Sequence, residues 1–305
     1  MSIPIISFKD GNALLDWVEF TQALARGHDL PKADIGDTFL YRSPDTLLSR
    51  SAWIDGLGLA VKTATIFPGN PAANKPMVNG SVSLYSDKDG TLEALVDFHL
   101  VTKWKTAGDS LLGALKLANT NATEVLIVGA GTVGGALIDA FSAGFPKAQI
   151  RVWNRTLPKA TALVSSRLGT LVAPDLEAAV RAADIIVTAT MSSSPVIKGE
   201  WLRSGQHLNM IGAYRPDMRE ADDLALTRSR IYTDSFDTTL DHIGEFMIPL
   251  AAGVIQRRDV LADFYDLASF PAFDPDQITL FKNGGGAHLD LITSHHILQK
   301  WTNRA

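Results

Sequence analysis

The chain has 305 residues, 46% of them apolar, with a formal net charge of −5 and no cysteine. This length suffices for two domains and a sizeable core, while the mild acidity disfavours nucleic acid and anionic membranes as partners. The missing cysteines exclude disulfides, thiolate nucleophiles and cysteine-ligated zinc, and without a signal-peptide or membrane-span pattern we expect a soluble cytoplasmic protein.

Residues 1–120 contain predicted helices and strands of their own, before any nucleotide-binding pattern appears. Apolar periodicity and turn residues predict, in chain order, an amphipathic helix over 11–27, a strand over 57–67, a hairpin of strands 82–85 and 91–98, and a long helix over 100–118. The hairpin turn is Asp-Lys-Asp-Gly at 87–90, a strong turn sequence. This region is therefore predicted to be ordered and of mixed α and β content.

Residues 124–137, EVLIVGAGTVGGAL, combine an apolar strand, a glycine-rich turn and a helix start. The turn has the pattern G-x-G-x-x-G, whose glycines allow a tight turn, close approach to a pyrophosphate and packing of the helix on the strand. The helix N-terminus offers free N–H groups and a positive dipole end to the phosphates. We therefore predict a dinucleotide site formed by Gly129, Gly131, Thr132, Val133 and Gly134.

Strands and helices alternate from this turn to residue 233. The predicted strands are 149–153, 171–172, 184–188, 207–211 and 230–233, and the helices between them include 158–168 and 175–182. Such alternation is typical of a parallel, doubly wound sheet, in which ligands bind at the carboxyl ends of the strands.

The end of the second of these strands indicates which dinucleotide binds. An NAD site usually has an acidic residue there, on the ribose 2′-hydroxyl. This chain has Asn154-Arg155-Thr156 instead. Arg155 can hold a 2′-phosphate through charge-assisted bonds, and Asn154 and Thr156 can add neutral ones. We therefore predict NADPH rather than NADH, the alternative being that Arg155 is a solvated surface charge.

The C-terminal segment completes the predicted domain organisation. Residues 287–300 are predicted to form a helix that returns to the first domain, after a crossing segment at 274–282. The predicted fold is α/β, with a Rossmann dinucleotide-binding domain, residues 121–274, inserted in a discontinuous α+β substrate-binding and dimerisation domain, residues 1–120 and 275–305.

Several segments, taken together, resemble the ornithine cyclodeaminase/mu-crystallin family over essentially the whole chain. They include VKTATIFPGNP (61–71), WKTAGDSLLGA (104–114), VLIVGAGTVGGAL (125–137), ADIIVTATMSSSPV (183–196), GQHLNMIGAYRPDMREAD (205–222) and FKNGGGAHLD (281–290). The resemblance implies an NAD(P)-dependent enzyme that interconverts amino and imino acids, usually as a homodimer. Members include cyclodeaminases, alanine dehydrogenases and ketimine reductases.

The resemblance assigns catalytic roles to residues of the first domain. Lys62 matches the family's active-site lysine, and a lysine buried in an apolar strand can donate a proton near neutral pH; the alternative is a solvated strand face. Lys105 replaces the family arginine that grips the substrate carboxylate, and it lacks the planar fork of arginine. We expect Arg50 to share that role with Lys105, the alternative being that Arg50 is an ordinary surface residue.

The second domain contributes residues near the nicotinamide. The resemblance places Thr190, Met191, Ser192 and Lys282 on that side of the cofactor. Cyclodeaminases carry an aspartate where this chain has Tyr214, and a neutral phenol is a poor base at neutral pH. The sequence therefore resembles ketimine reductases, whose loop also has the pattern R-P-D-x-R-E found at 215–220. We predict no metal site, since adjacent histidines in a helix point to different faces.

The sequence thus predicts an NADPH-dependent oxidoreductase that reduces a small imino acid, such as pyrroline-2-carboxylate, piperideine-2-carboxylate or a linear ketimine, to the amino acid. Three alternatives stay open. These are a cyclodeaminase with bound NAD, an enzyme working in the oxidative direction, and a non-catalytic NADPH- or ligand-binding protein of the mu-crystallin kind.

Overall fold

A computed structural model describes residues 3–304 of the protein. The chain forms two compact units. The first comprises the chain up to Lys105 and again from Gly286, and the second is Thr106–Gly285. One unit is therefore inserted in the sequence of the other, as predicted.

The first part of the chain forms β1 (Ile5–Ile6), α1 (Phe8–Asn12), α2 (Trp17–His28), β2 (Asp34–Arg42), β3 (Asp45–Ile54), β4 (Gly58–Ile66), β5 (Val78–Tyr85), β6 (Leu92–Asp97) and α3 (Phe98–Leu117). The remainder forms β7 (Glu124–Val128), α4 (Thr132–Gly144), β8 (Gln149–Trp153), α5 (Leu157–Ser165), β9 (Thr170–Val172), α6 (Leu176–Ala182), β10 (Ile185–Thr188), β11 (His207–Met210), α7 (Asp223–Thr227), β12 (Ser229–Thr233), α8 (Phe236–Thr239), α9 (Gly244–Ala251), β13 (Val260–Ala262), β14 (Ile278–Lys282) and α10 (Ala287–Thr302). Within the described residues, no helix is long and apolar enough to cross a membrane.

The first unit is built on a six-stranded sheet in the order β1-β6-β5-β4-β3-β2. Strands β2 to β6 are antiparallel neighbours, and β1 pairs parallel with β6. The predicted hairpin at 87–90 and the strand over 57–67 are confirmed. Helix α10 packs with strands of this sheet and with α2, so the predicted return of the C-terminal helix to the first unit is also confirmed.

The predicted helix over 11–27 is wrong as a single element, because the chain breaks between α1 and α2. Asp16 caps α2, its carboxylate accepting a hydrogen bond of 2.9 Å from the N–H of Glu19. An aspartate at this position is a strong helix start, which outweighs the continuous apolar periodicity. The buried side of α2 is formed by Trp17, Phe20 and Leu24.

The second unit is built on an eight-stranded sheet in the order β13-β12-β14-β11-β10-β7-β8-β9, with parallel pairs throughout. This is the predicted doubly wound sheet. The prediction of a crossing segment at 274–282 is wrong, because β14 lies between β11 and β12 as a fully buried strand. A short, continuously apolar run is how a central parallel strand appears in sequence.

The compact units divide at 105/106 and 285/286, whereas the sequence predicts domain boundaries at 120/121 and 274/275. The boundary at 285/286 lies later than predicted because β14 belongs to the second unit. The boundary at 105/106 lies earlier than predicted because the later half of α3 packs within the second unit, where a Cβ at Gly113 would lie 2.6 Å from the ring of Phe281.

Candidate functional site

Two lysines of the first unit share one buried carboxylate. The Lys62 ammonium donates to the carboxylate of Asp290 at 2.9 Å and to the hydroxyl of Thr102 at 2.8 Å. The Lys105 ammonium donates to the same carboxylate at 2.8 Å. Lys62, Lys105 and Asp290 are 6%, 7% and 1% exposed. Lys62 therefore does not lie on a solvated strand face.

The close contacts of this group shift the pKa values of Asp290 and Lys105. Burial alone would raise the pKa of Asp290, but the adjacent Lys105 and Lys62 lower it to about 2. Burial lowers the pKa of Lys105 to about 8, an effect that Asp290 opposes and that the positive charges of Lys62 and Arg50 reinforce. Lys105 is therefore a cation at neutral pH that loses its charge in the mildly alkaline range.

Arg50 lies directly across the sheet from Lys62, in the register of β3 and β4, and opposite Asp37 of β2. Directly paired residues project from the same face of a sheet, so Arg50 and Lys62 share a face. The Arg50 guanidinium contacts the Asp37 carboxylate through Nη2 at 2.8 Å and Nε at 3.1 Å. We call Arg50, Lys62 and Lys105 the cationic cluster.

Sequence reasoning assigned no role to Asp290, although this residue contacts both lysines of the cluster. Its sequence signal is weak, because it consists only of an acidic residue between Leu289 and Leu291 in the first turns of a buried helix. A charged residue inside an apolar helix face indicates a buried partner, but the partners come from β4 and α3, which lie far away in sequence.

The glycine-rich turn has the geometry that a pyrophosphate requires. Gly129 has a φ of +127°, and a Cβ there would lie 2.6 Å from the carbonyl oxygen of Ala189. A Cβ at Gly134 would lie 2.3 Å from the carbonyl oxygen of Gly129, so the helix packs closely on the turn. Gly131, at the N-cap of α4, faces open space and has no side-chain cap. The N–H groups at the start of α4 therefore fit an anionic ligand.

Thr132 and Val133 form the first turn of α4, as predicted. Asn154 lies beside this turn, where its Oδ1 accepts from the N–H of Ala130 at 3.2 Å and its Nδ2 donates to the carbonyl of Thr156 at 3.0 Å. Its side chain thus joins the glycine turn to the loop after β8. Arg155 and Thr156 are exposed at the end of that strand.

The predicted nicotinamide-side residues follow β10 but differ in their surroundings. Thr190 donates to the buried carboxylate of Glu220 through both its N–H and its hydroxyl, each at 2.7 Å. The Ser192 hydroxyl donates to the carbonyl of Ser194 at 2.6 Å. The Met191 side chain is 77% exposed. Thr190 is the residue that the structure fixes most firmly.

Lys282 does not offer its ammonium to a ligand in this structure. The fully buried Nζ donates to the carbonyls of Met210, Ala213 and Asn283, at 3.1, 2.9 and 2.6 Å. An ammonium has three donors, so all are used within the protein. Lys282 thus joins the loop after β11 to the end of β14, and its place on the nicotinamide side of the cofactor stays a prediction.

The Asp234 carboxylate positions the backbone that follows β12 and β14. Its carboxylate accepts from the N–H groups of Ser235, Gly284 and Gly285 at 2.7 to 2.9 Å. Burial raises its pKa, which these N–H groups and Lys282 oppose.

A glycine-rich turn between a strand and a helix of a parallel sheet is typical of dinucleotide-binding proteins, and the first unit adds the cationic cluster. The chain belongs to the ornithine cyclodeaminase/mu-crystallin family, whose family model matches residues 54–305. The resemblance inferred from its motifs is thus confirmed.

Relatives and solved structures agree with this assignment. The Delta(1)-pyrroline-2-carboxylate reductase of Paracoccus denitrificans (strain Pd 1222) is 46% identical over 300 residues, which are 96% of this chain and 95% of that protein. The Delta(1)-pyrroline-2-carboxylate reductase of Thermococcus litoralis, solved with NADH and L-proline, matches with a TM-score of 0.88 and 25% identity over 98% of both chains. An archaeal alanine dehydrogenase dimer with bound NAD matches with a TM-score of 0.88 and 26% identity, over 99% of this chain and 97% of that one.

Proposed function

We propose that the protein is an NADPH-dependent oxidoreductase that reduces the C=N bond of a small imino acid, with pyrroline-2-carboxylate the first candidate. The observation that carries the proposal is the buried Lys62–Asp290–Lys105 group beside Arg50, in a chain that also has a dinucleotide-binding sheet. The substrate named for the 46% identical relative supports the same choice.

The cationic cluster suits a substrate with one carboxylate. Its three cations are opposed by two carboxylates, Asp37 and Asp290, which leaves one positive charge for the substrate to neutralise. Lys105 and Arg50 bind the substrate carboxylate and so fix the orientation of the imine carbon. Holding a reacting carbon in place removes much of the entropic barrier of a bimolecular transfer.

Lys62 holds the proton that the imine nitrogen needs. Its Nζ donates to Asp290 and Thr102, which orient it. Transfer of that proton to the nitrogen makes the carbon a better hydride acceptor, and Lys62 is then reprotonated from solvent. The reduced nicotinamide, when bound, supplies the hydride.

The cofactor preference is proposed from the end of β8. No acidic side chain stands at 154–156 to repel a 2′-phosphate, and exposed Arg155 can bind one. We expect Arg155→Ala to weaken NADPH binding while leaving NADH binding unchanged, as measured by titration calorimetry. Equal effects on both cofactors would show that Arg155 does not bind the 2′-phosphate.

We also propose that the protein is a cytoplasmic homodimer. The edge strand β2 of the first unit supports the assembly, since all nine of its residues are exposed and four of them are apolar or aromatic. The solved alanine dehydrogenase of the same fold is a dimer.

A direct assay tests the proposed reaction. The purified protein is mixed with NADPH or NADH and a panel of cyclic and linear imino acids, and the absorbance of the reduced cofactor is followed. NADPH consumption with pyrroline-2-carboxylate is the expected result. Ammonia release from ornithine without net cofactor change would instead show a cyclodeaminase, and cofactor binding without turnover would show a binding protein.

The role of Arg50 has its own test. We expect Arg50→Met to raise the KM for the imino acid by about tenfold, since a charge-assisted contact is lost. Arg42→Met is a matched control, because Arg42 lies on the neighbouring strand and its side chain is 79% exposed. An unchanged KM in Arg50→Met would remove Arg50 from the carboxylate site.

A further inference from the structure

One buried carboxylate ties together two loops at the carboxyl edge of the second sheet. Glu220 Oε1 accepts from the N–H and the hydroxyl of Thr190, each at 2.7 Å. Glu220 Oε2 accepts from the hydroxyl of Thr188 at 2.8 Å and from the N–H of Gly212 at 2.6 Å. Thr188 ends β10, and Gly212 lies just past the end of the adjacent parallel strand β11.

The backbone around Glu220 holds the same loop. The Glu220 carbonyl accepts from the N–H groups of Val196 and Ile197 at 2.8 and 2.9 Å, and the N–H of Arg219 donates to the carbonyl of Ser192 at 3.0 Å. The segment 190–197 is therefore attached at both ends to the dipeptide 219–220. Arg219 and Glu220 are the last two residues of the R-P-D-x-R-E pattern, for which the sequence analysis proposed no physical role.

A second carboxylate fixes Glu220 in turn. Glu245 of α9 accepts from the N–H groups of Glu220 and Ala221, at 2.8 and 3.1 Å, and both glutamates are fully buried. Gly212 shows how tightly the two loops meet, because a Cβ there would lie 1.8 Å from the carbonyl oxygen of Thr190. The loop after β10 consequently has one arrangement, which Glu220 sets.

The hydrogen bond to Glu220 also fixes the chemical character of Thr190. A hydroxyl has one proton and two lone pairs, and here the proton points to Oε1 of Glu220. Towards a ligand, the Thr190 hydroxyl can therefore only accept. A half-buried acceptor at the carboxyl end of a parallel strand matches a ligand N–H, such as the amide of a nicotinamide.

We propose that Glu220 is the positioning residue for the nicotinamide end of the cofactor, acting through Thr190, whose hydroxyl accepts from the carboxamide. This inference rests on the proposed function, because it requires that a nicotinamide dinucleotide binds. Nothing in it depends on the substrate or on the first unit.

Glu220→Gln tests the proposal, because glutamine keeps the shape but turns one carboxylate oxygen into an N–H₂ group that faces donors. Binding of NADPH is compared with binding of 2′-phospho-ADP-ribose, the same molecule without its nicotinamide. We expect the Kd of NADPH to rise about tenfold and that of the fragment to change by less than about twofold. The control Glu200→Gln, at an exposed glutamate of the same unit, should change neither.

The alternatives give different results. Parallel losses of NADPH and fragment binding, or no loss of either, would overturn the proposal. If the wild-type protein binds neither molecule, the proposed function itself fails. If Glu220→Gln does not fold, Thr190→Val provides the test, since it removes the hydroxyl. In this variant NADPH binding must weaken while fragment binding is retained. Any other result overturns the role proposed for Glu220 and Thr190.

An analogue measures the Thr190 contact directly. In NADPH carrying an acetyl group in place of the carboxamide, the N–H₂ donor is gone. Wild-type protein should prefer NADPH to this analogue, and Thr190→Val should bind the two alike. An unchanged preference in Thr190→Val would refute the assignment of the hydroxyl as acceptor.

Discussion

Lys105 differs from the arginine expected at its position in being able to lose its charge near physiological pH. Burial lowers its pKa to about 8, so its positive charge is present below that pH and is lost above it. Arginine stays charged throughout this range. If Lys105 binds the substrate carboxylate, substrate affinity must therefore fall as the pH rises through about 8.

We predict that the KM for the imino acid rises on the alkaline side of this pKa, and that in Lys105→Arg it does not. Initial rates measured in both proteins at a series of pH values test this. Protonation of the substrate itself affects both proteins equally, so only their difference reports on Lys105. Identical pH profiles would assign carboxylate binding to other residues.

A substitution at Gly131 tests the binding role of the glycine turn without disturbing its structural role. A Cβ at this position meets no neighbouring atom within 4 Å and the backbone there has a negative φ. We therefore predict that Gly131→Ala folds with an unchanged melting temperature and binds NADPH at least about tenfold more weakly, since the methyl group occupies the path of the pyrophosphate. Calorimetric titration and thermal melting measure the two effects, and unchanged affinity would contradict the placement of the cofactor.

At the scale of elements, the second unit is sensitive to substitution where the loops after β10 and β11 approach each other closely. We predict that Gly212→Ala costs about 1–3 kcal/mol of unfolding free energy, because its Cβ has no room beside Thr190. Dinucleotide affinity should fall with it. Thermal melting measures the change, and Gly69→Ala is the control, since a Cβ there meets nothing within 4 Å. Equal stability of the two variants would contradict the packing described.

The sequence predicted some elements well and others poorly, for identifiable reasons. The strands around the glycine turn were found because each is a short apolar run between turn residues. Strand β2 was missed because all nine of its residues are exposed, so it lacks the alternation of a half-buried strand. Strand β14 was predicted as a crossing segment because the sequence does not show which strands pair with one another. In the structure it pairs with β11 and β12, which both precede it in the chain.

Some residues of the candidate site were likewise predicted from the sequence, and others were not. The glycines, Lys62 and Lys105 were found because a motif or an odd residue in an apolar strand marks them. Asp290 and Glu220 were missed because an acidic residue shows its role only through its partners, which come from other elements. Burial of a carboxylate is a property of the fold, and local sequence does not show it.

At the scale of the molecule, β2 leaves one edge of the first sheet open. Leu40 and Tyr41 on this strand are 61% and 75% exposed, and an exposed edge with apolar residues is a surface for pairing. We predict that the protein sediments as a dimer and that Leu40→Lys with Tyr41→Lys gives a monomer. Leu168→Lys, at an exposed leucine of the other unit, should remain dimeric. A monomeric wild type, or a dimeric double variant, would contradict the role of β2.

The surplus positive charge of the cationic cluster has a practical consequence for anyone who purifies the protein. Arg50, Lys62 and Lys105 together outnumber the carboxylates that hold them, and guanidinium and ammonium groups bind any small oxyanion of suitable size. If the cluster binds the imino acid as proposed, we expect phosphate and sulfate to compete with it. Kinetic constants measured in phosphate buffer are then expected to understate the affinity that is measured in an amine or zwitterionic buffer.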